Sequence, residues 1–380
     1  MEQISGDQIP SPCFVLEEKK LRKNLNLIRQ VSEKAGVEII LAFKGFSMFS
    51  AFPIVKEYID GATASSINEL RLCNEEMKTL AHAYFVAYSK QDFDEVLSGS
   101  SHITFNSLSQ AETFKEEITA NKEKVKFGLR VNPEYSEVTT ALYNPASSTS
   151  RLGVTIGQMP EELPDGISGL HFHVLCESDS FALENTLSEL ENKFGKYLSK
   201  ISWLNLGGGH LMTREGYDIE HLIQVLRDFR KKHKVAITLE PGSAFAWQTG
   251  NLITSVIDVV ENGGVKTVII DASFTCHMPD CLEMPYRPVI SEASDDENGL
   301  YRYNIGGLSC LAGDFIPDYY FSKELQIGDT LTFEDMMHYT MVKTTTFNGV
   351  PHPSIGILNE QGSFTLIRSF NYEDFKGRLS

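Results

Sequence analysis

The chain has 380 residues, 42% hydrophobic and 22% charged, with a formal net charge of −17. That length allows two domains with sizeable cores, and the acidity argues against nucleic acid as a partner, because a phosphate backbone needs a basic face. No apolar stretch approaches transmembrane length, the start lacks a signal-peptide pattern, and the six cysteines are scattered without a Cys-x-x-Cys pair, so a cytoplasmic protein is expected, with no membrane partner.

The first apolar, β-branched run, Val37 to Phe43, predicts a buried strand that ends at Lys44. At the edge of an apolar interior an ammonium is poorly solvated and its pKa falls, which makes Lys44 a candidate Schiff-base former. On position alone it also reads as a lysine snorkelling to solvent. Further strand-like runs follow near Gly61–Ala64, Tyr84–Tyr88, Ile103–Asn106, Lys126–Val131, Gly169–Val174, Trp203–Leu206 and Ala236–Leu239. Helical periods separate them. Over 180–198, Leu183, Leu187, Leu190, Phe194 and Leu198 share one face behind Asp179 or Ser180 as cap. Ile219, Leu222, Ile223, Leu226 and Phe229 do so behind Asp218. Eight strands alternating with helices predict an α/β chain built on a (β/α)8 barrel over residues 17–251, with an open doubly wound sheet as the other arrangement that fits.

Beyond Asn251 the segments Leu252–Val260, Thr267–Asp271, Leu331–Phe333, Tyr339–Thr346 and Phe364–Ile367 read as strands without long helices between them. Turns fall at Asn262-Gly263-Gly264, Gly328-Asp329 and Asn348-Gly349. This predicts a C-terminal β-sandwich or β-barrel domain over 252–380, joined by the N-terminal segment 1–16.

The loops after the strands of a (β/α)8 barrel share one face, and that face carries the chemistry. Lys44 follows the first predicted strand, Arg130 ends the fifth, and His171 and His173 end the sixth. Gly207-Gly208-Gly209-His210 follows the seventh and Glu240-Pro241-Gly242-Ser243 the eighth. Successive glycines let backbone N–H groups approach an anion, and the loops after strands seven and eight are the usual phosphate site. Glu240 is a carboxylate able to keep a pyridinium nitrogen protonated, or else a solvated loop acid. His173 either stacks on an aromatic cofactor or is a satisfied core histidine. A Schiff-base lysine, a phosphate cradle and a ring-nitrogen acid together specify pyridoxal 5′-phosphate. No metal motif is present, since His171-x-His173 lacks further ligands at zinc spacing. In the second domain Gly306 to Asp314 is a glycine-rich loop bearing Cys310, read equally as a site thiol or a buried turn cysteine. Tyr339 either donates to a phosphate or packs.

On these motifs the chain, from about residue 10 to 375, resembles the fold-type III pyridoxal-phosphate decarboxylases that act on ornithine, arginine, diaminopimelate and related amino acids. The carriers are Ala42-Phe43-Lys44, Leu129 to Pro133, Ser150 to Gly153, His173, Gly207 to Gly209, Glu240-Pro241-Gly242, Cys310 and Tyr339. The resemblance implies an alanine-racemase-like pairing of barrel and β domain. It implies Lys44 as the cofactor lysine, His173 as the ring-stacking group, Gly207, Gly208 and Gly209 as the phosphate loop and Glu240 as the ring-nitrogen acid. It further implies Tyr339 as a phosphate ligand, Arg130 beside the cofactor, Cys310 as the proton donor and Asp314 as a substrate acid. Cys310 and Asp314 would reach into a partner's pocket, which implies a homodimer with composite sites.

Departures narrow the substrate. Ser243 stands where ornithine and diaminopimelate enzymes carry Arg, Leu175-Cys176 where they have Gly-Ser, and Thr63 where many ornithine enzymes have Asp. The segment Cys276 to Pro288 instead resembles the branch acting on carboxynorspermidine and carboxyspermidine. That implies a carboxy-lyase of polyamine biosynthesis, with Ser243, Asp280 and Glu283 as further candidates for substrate contact. The other readings are a decarboxylase of ornithine, arginine or diaminopimelate, an amino-acid racemase, and a non-catalytic pyridoxal-phosphate carrier.

Overall fold

The computed structural model describes residues 3–4, 9–147, 149–294, 296–297 and 300–380; parts of the segment 1–16 lie outside the described residues. The chain divides into two compact units, one formed by 24–245 and the other by 1–23 with 246–380.

The first unit is an all-parallel barrel. Its strands are Ala62–Ala64, Ala81–Tyr84, Ser100–Phe105, Lys126–Asn132, Ile167–His171, Trp203–Asn205 and Ala236–Leu239, with the first strand split into Glu38–Ile39 and Leu41–Ala42. Glu38–Ile39 pairs with the last strand and Leu41–Ala42 with the second, so one extended stretch interrupted at Ile40 bridges the seam. An open doubly wound sheet would leave that seam unpaired. Each strand is buried on both faces, which accounts for the continuous apolar runs. The helix Ser180–Leu198 starts where Asp179 accepts from the N–H groups of Phe181 and Ala182, and Ile219–His233 starts where Asp218 accepts from His221. The apolar faces of both helices are buried, as their periodicity requires.

One strand lies elsewhere than expected. The third is Ala81–Tyr84, not Tyr84–Tyr88. The apolar stretch after it leaves the sheet because Tyr88 caps the strand edge. Its hydroxyl accepts from Phe85 N–H at 3.2 Å and lies 3.0 and 2.9 Å from the carbonyl oxygens of Ala83 and Thr104. The true strand contains His82, a buried imidazole whose ring lies tilted against that of His102 at 3.9 Å between centroids, which breaks the apolar pattern.

The second unit is built on a mixed sheet around the long strand Gly250–Asn262. That strand pairs antiparallel with Cys13–Glu17, Val265–Ile270 and Thr330–Phe333, and the Gly263-Gly264 turn closes the hairpin. Tyr301–Gly306 and Phe315–Phe321 extend the sheet and flank the Cys310 loop. The predicted strand Tyr339–Thr346 is instead a run of turns. Tyr339 has φ +48°, and its carbonyl accepts from the N–H groups of Val342 and Lys343.

Candidate active site

Within the barrel unit the strand ends bring together Lys44, Arg130, His171, His173, the glycine loop and Glu240. Lys44 sits in the turn after the first strand, partly exposed, with Nζ 3.2 Å from His173 Nε2. Burial and the Arg130 charge push the lysine below its ordinary range, against the opposing pull of Glu240, Glu69 and Cys176. Burial likewise holds the His171 and His173 imidazoles neutral. Arg130 is buried, donates from Nη2 to the His173 carbonyl at 3.1 Å, and lays its guanidinium 4.7 Å over the Tyr84 ring.

Glu240 is 7% exposed. Its Oε1 accepts from Asn205 Nδ2 at 2.6 Å, and its Oε2 lies 3.8 Å from His171 Nε2. Burial raises its pKa, while Asn205, Thr63, Lys44 and Arg130 oppose the rise. Both His171 ring nitrogens are buried and make no hydrogen bond among the described residues.

The glycine loop works differently from the expected anion cradle at two of its amides. Gly207 N–H donates to Asn205 Oδ1 and Gly208 N–H to His173 Nδ1, each at 2.8 Å. Glycine is required here by close backbone approach. Gly207 and Gly209 have φ of +69° and +90°, and added Cβ atoms would lie 2.5 Å from the Phe172 oxygen and 2.2 Å from the Leu175 oxygen.

Asn205 is the residue that motif reading missed. It is the amide-bearing side chain of the seventh strand, and it ties the Glu240 carboxylate to the glycine loop. Its signal was a polar residue in an otherwise apolar run, two positions before Gly207. Asn106 is a second brace: its Oδ1 accepts from Tyr84 and from Gly153 N–H, and its Nδ2 donates to the Arg151 carbonyl. The Ser150 to Gly153 segment is thereby anchored to the end of the fourth strand. Ser243 opens a short helix within this same unit.

The remaining candidates belong to the second unit. Cys310 is exposed, and its N–H donates to Asn348 Oδ1 at 2.8 Å. Asp314 is 4% exposed and fully engaged. Its Oδ2 accepts from Ser273 Oγ at 2.9 Å and Ser309 N–H at 3.0 Å, and its Oδ1 from Thr275 N–H at 2.9 Å. This carboxylate holds the Cys310 loop. Asp280 and Glu283 both bind the Lys343 ammonium, Glu283 at 2.9 Å. Tyr339 is partly buried beside His338.

The barrel group fits pyridoxal phosphate. It offers an amine of depressed basicity for the aldehyde, a neutral imidazole for a ring face and a braced carboxylate for the ring nitrogen. The Cβ-free loop keeps the space beside them open. Among the described residues no cluster of three or more metal-ligating side chains occurs, and no helix is long and apolar enough to cross a membrane.

Comparison with known proteins agrees. Residues 46–337 match the family model described as pyridoxal-dependent decarboxylase, C-terminal sheet domain. The chain is 51% identical over 380 residues to carboxyaminopropylagmatine decarboxylase of Synechocystis sp., covering all of this chain and 98% of that protein. It is 41% identical to carboxynorspermidine/carboxyspermidine decarboxylase of Campylobacter jejuni, covering 98% and 99%. The crystal structure of carboxynorspermidine decarboxylase complexed with norspermidine, from Campylobacter jejuni, superposes with a TM-score of 0.90 at 40% identity, over 97% of this chain and all of that one. Diaminopimelate decarboxylase of Helicobacter pylori, at 17% identity and a TM-score of 0.85, shares the fold. The chain therefore belongs to the pyridoxal-dependent decarboxylase family and is a carboxy-lyase that uses pyridoxal phosphate.

Proposed function

We propose that this enzyme decarboxylates a carboxylated polyamine, with carboxynorspermidine and carboxyspermidine as substrates. The observation that carries this reading is 41% full-length identity to a relative named for these substrates, beside 17% to the diaminopimelate enzyme. The relative at 51% identity supports a second reading, the agmatine-derived analogue, whose distal group is a guanidinium rather than an ammonium. Both put an amino-carboxyl head on a cationic chain, which suits a protein of net charge −17.

When bound, pyridoxal phosphate supplies an electron sink for the pair left as the carboxylate departs as CO2. Lys44 contributes the amine that anchors the aldehyde carbon. Glu240, held by Asn205, keeps the ring nitrogen protonated, and His173 covers one ring face. Gly207 to Gly209, with Arg130 and Tyr339, accommodate the phosphate. Cys310 returns a proton to the substrate carbon that lost CO2, entering the pocket of a second copy in a cytoplasmic homodimer. Ser243 lines the substrate side. Asp280 and Glu283 are the acids for the distal cation, taking it in exchange for Lys343, whereas Asp314 serves by positioning the Cys310 loop.

The test is CO2 release from carboxynorspermidine, carboxyspermidine, carboxyaminopropylagmatine, ornithine and diaminopimelate under one set of conditions. One methylene is worth only about 1–3 kcal/mol in a pocket, so the first two should be used within about 200-fold of each other. Faster turnover of ornithine or diaminopimelate than of any carboxylated polyamine would sink the proposal.

A further inference from the structure

We infer that the backbone N–H of Gly208 fixes His173 in one tautomer, and that this tautomer holds Lys44 as a neutral amine before any cofactor binds.

The chain of contacts is Gly208 N–H to His173 Nδ1 at 2.8 Å, then His173 Nε2 to Lys44 Nζ at 3.2 Å. An imidazole nitrogen that accepts a hydrogen bond carries no proton. The neutral ring therefore bears its proton on Nε2, aimed at Lys44. A nitrogen that receives an N–H must offer a lone pair, and an ammonium has none. An ammonium at Lys44 would require the opposite tautomer, which points an Nδ1 proton at the Gly208 N–H. An imidazolium would set N–H groups against hydrogens at both ends.

The backbone on both sides of this contact is held in place. A Cβ on Gly208 would lie 2.4 Å from the backbone carbonyl oxygen of Glu240, so the loop is pressed against the end of the eighth strand. On the other side Arg130 pins the His173 carbonyl. The charged and titratable groups facing Lys44 come from every surrounding element. Arg130 on the fifth strand disfavours a cation, as does burial; Glu240 after the eighth strand, Glu69 after the second and Cys176 after the sixth favour one. The balance lowers the lysine, and neutral His171 adds no countercharge. The arrangement leaves Lys44 in the form that attacks an aldehyde, so cofactor capture does not wait for deprotonation.

The significance of this state rests on Lys44 being the cofactor lysine, but the state itself is readable without cofactor. In the cofactor-free full chain, competitive reductive methylation followed by mass spectrometry gives a labelling midpoint for each lysine, with exposed Lys78 and Lys231 as internal references. The Lys44 labelling midpoint should fall below theirs, as burial and the Arg130 charge require. His173→Asn keeps an acceptor for Gly208 but removes the donor to Lys44 and admits water, so its Lys44 midpoint should rise. His173→Gln returns an amide N–H near the Nε2 position and should restore most of the shift. Nitrogen-15 spectra should place the His173 proton on Nε2 at pH 7. A Lys44 midpoint equal to the references, or a proton on His173 Nδ1, overturns the inference. The cofactor reading fails separately, if Lys44→Ala keeps the visible absorbance of bound pyridoxal phosphate.

Discussion

The barrel unit and the sheet unit both carry buried carboxylates at candidate positions, and they treat them in opposite ways. Glu240 accepts from Asn205 at one oxygen, lies near an imidazole without a hydrogen-bond partner among the described residues, and has its pKa raised by burial. Asp314 receives three hydrogen bonds from Ser273, Thr275 and Ser309. A buried polar group left short of partners is costly, so proteins retain one where a ligand completes it. A saturated one serves its own loop. The difference separates an acid with incomplete hydrogen bonding from a saturated one, although both are acids near glycines in the sequence.

The largest expected effect lies at the centre of the barrel group. Lys44→Ala should remove the visible absorbance of bound cofactor and lower turnover by about 10⁴-fold or more, the scale for removing one member of a catalytic unit. Glu240→Gln should leave cofactor bound and lower kcat by about 10²–10³-fold, the cost of one preorganised electrostatic group. A larger loss from a change in the sheet unit than from either of these would break the comparison.

The same carboxylate-to-amide exchange should have opposite effects on stability in the two units. Glu240 has a raised folded pKa, so the unfolded chain ionises first as pH rises. Folding therefore loses stability on passing above the ordinary Glu range near pH 4.3, and the loss persists at neutral pH. Glu240→Gln should raise the Tm of the cofactor-free chain at pH 7, with the gain vanishing below about pH 4. Asp314→Asn sets an amide NH2 against N–H and O–H donors and should destabilise by about 1–3 kcal/mol, with reduced kcat but unchanged cofactor affinity. Thermal melts of both variants across pH 3 to 8, in roughly unit steps, check the pair.

Asn205→Leu tests how the barrel carboxylate is held. It removes the donor to Glu240 and the acceptor for Gly207, and should weaken cofactor binding by about tenfold to a hundredfold, the equivalent of one or two buried hydrogen bonds. Titration of the cofactor-free chain with pyridoxal phosphate measures it.

How much of this was legible in the sequence depends on how far each residue's partners lie from it. Lys44, His173 and Glu240 could be read because a strand end names both their position and their neighbours: a parallel barrel places all such ends on one face. Asn205 was hidden because its partner Glu240 stands 35 positions later, just past the end of the adjacent strand. The third strand was misplaced because apolar periodicity favoured Phe85 to Tyr88, whereas the barrel buries His82 against His102 and uses Tyr88 as a cap. The saturation of Asp314 was not legible because Ser273 and Thr275, two of its three donors, lie 41 and 39 residues away on another segment.

Asp280 and Glu283 are the remaining acids of the comparison, and they sit between its two cases. Both are engaged, but by Lys343, a mobile kind of side chain at a part-exposed position. Such a surface triad is worth about 0–1 kcal/mol, so Lys343→Met should hardly change Tm. If the pair serves the substrate's distal cation, freeing it from Lys343 should lower KM for carboxylated polyamines severalfold, most at low ionic strength, where exposed charges are least screened. Ornithine, which is too short to offer a second distal cation, should show no such gain. A KM that is unchanged for every substrate would place Asp280 and Glu283 with Asp314, as acids that fold the sheet unit and leave recognition of the polyamine chain to the barrel.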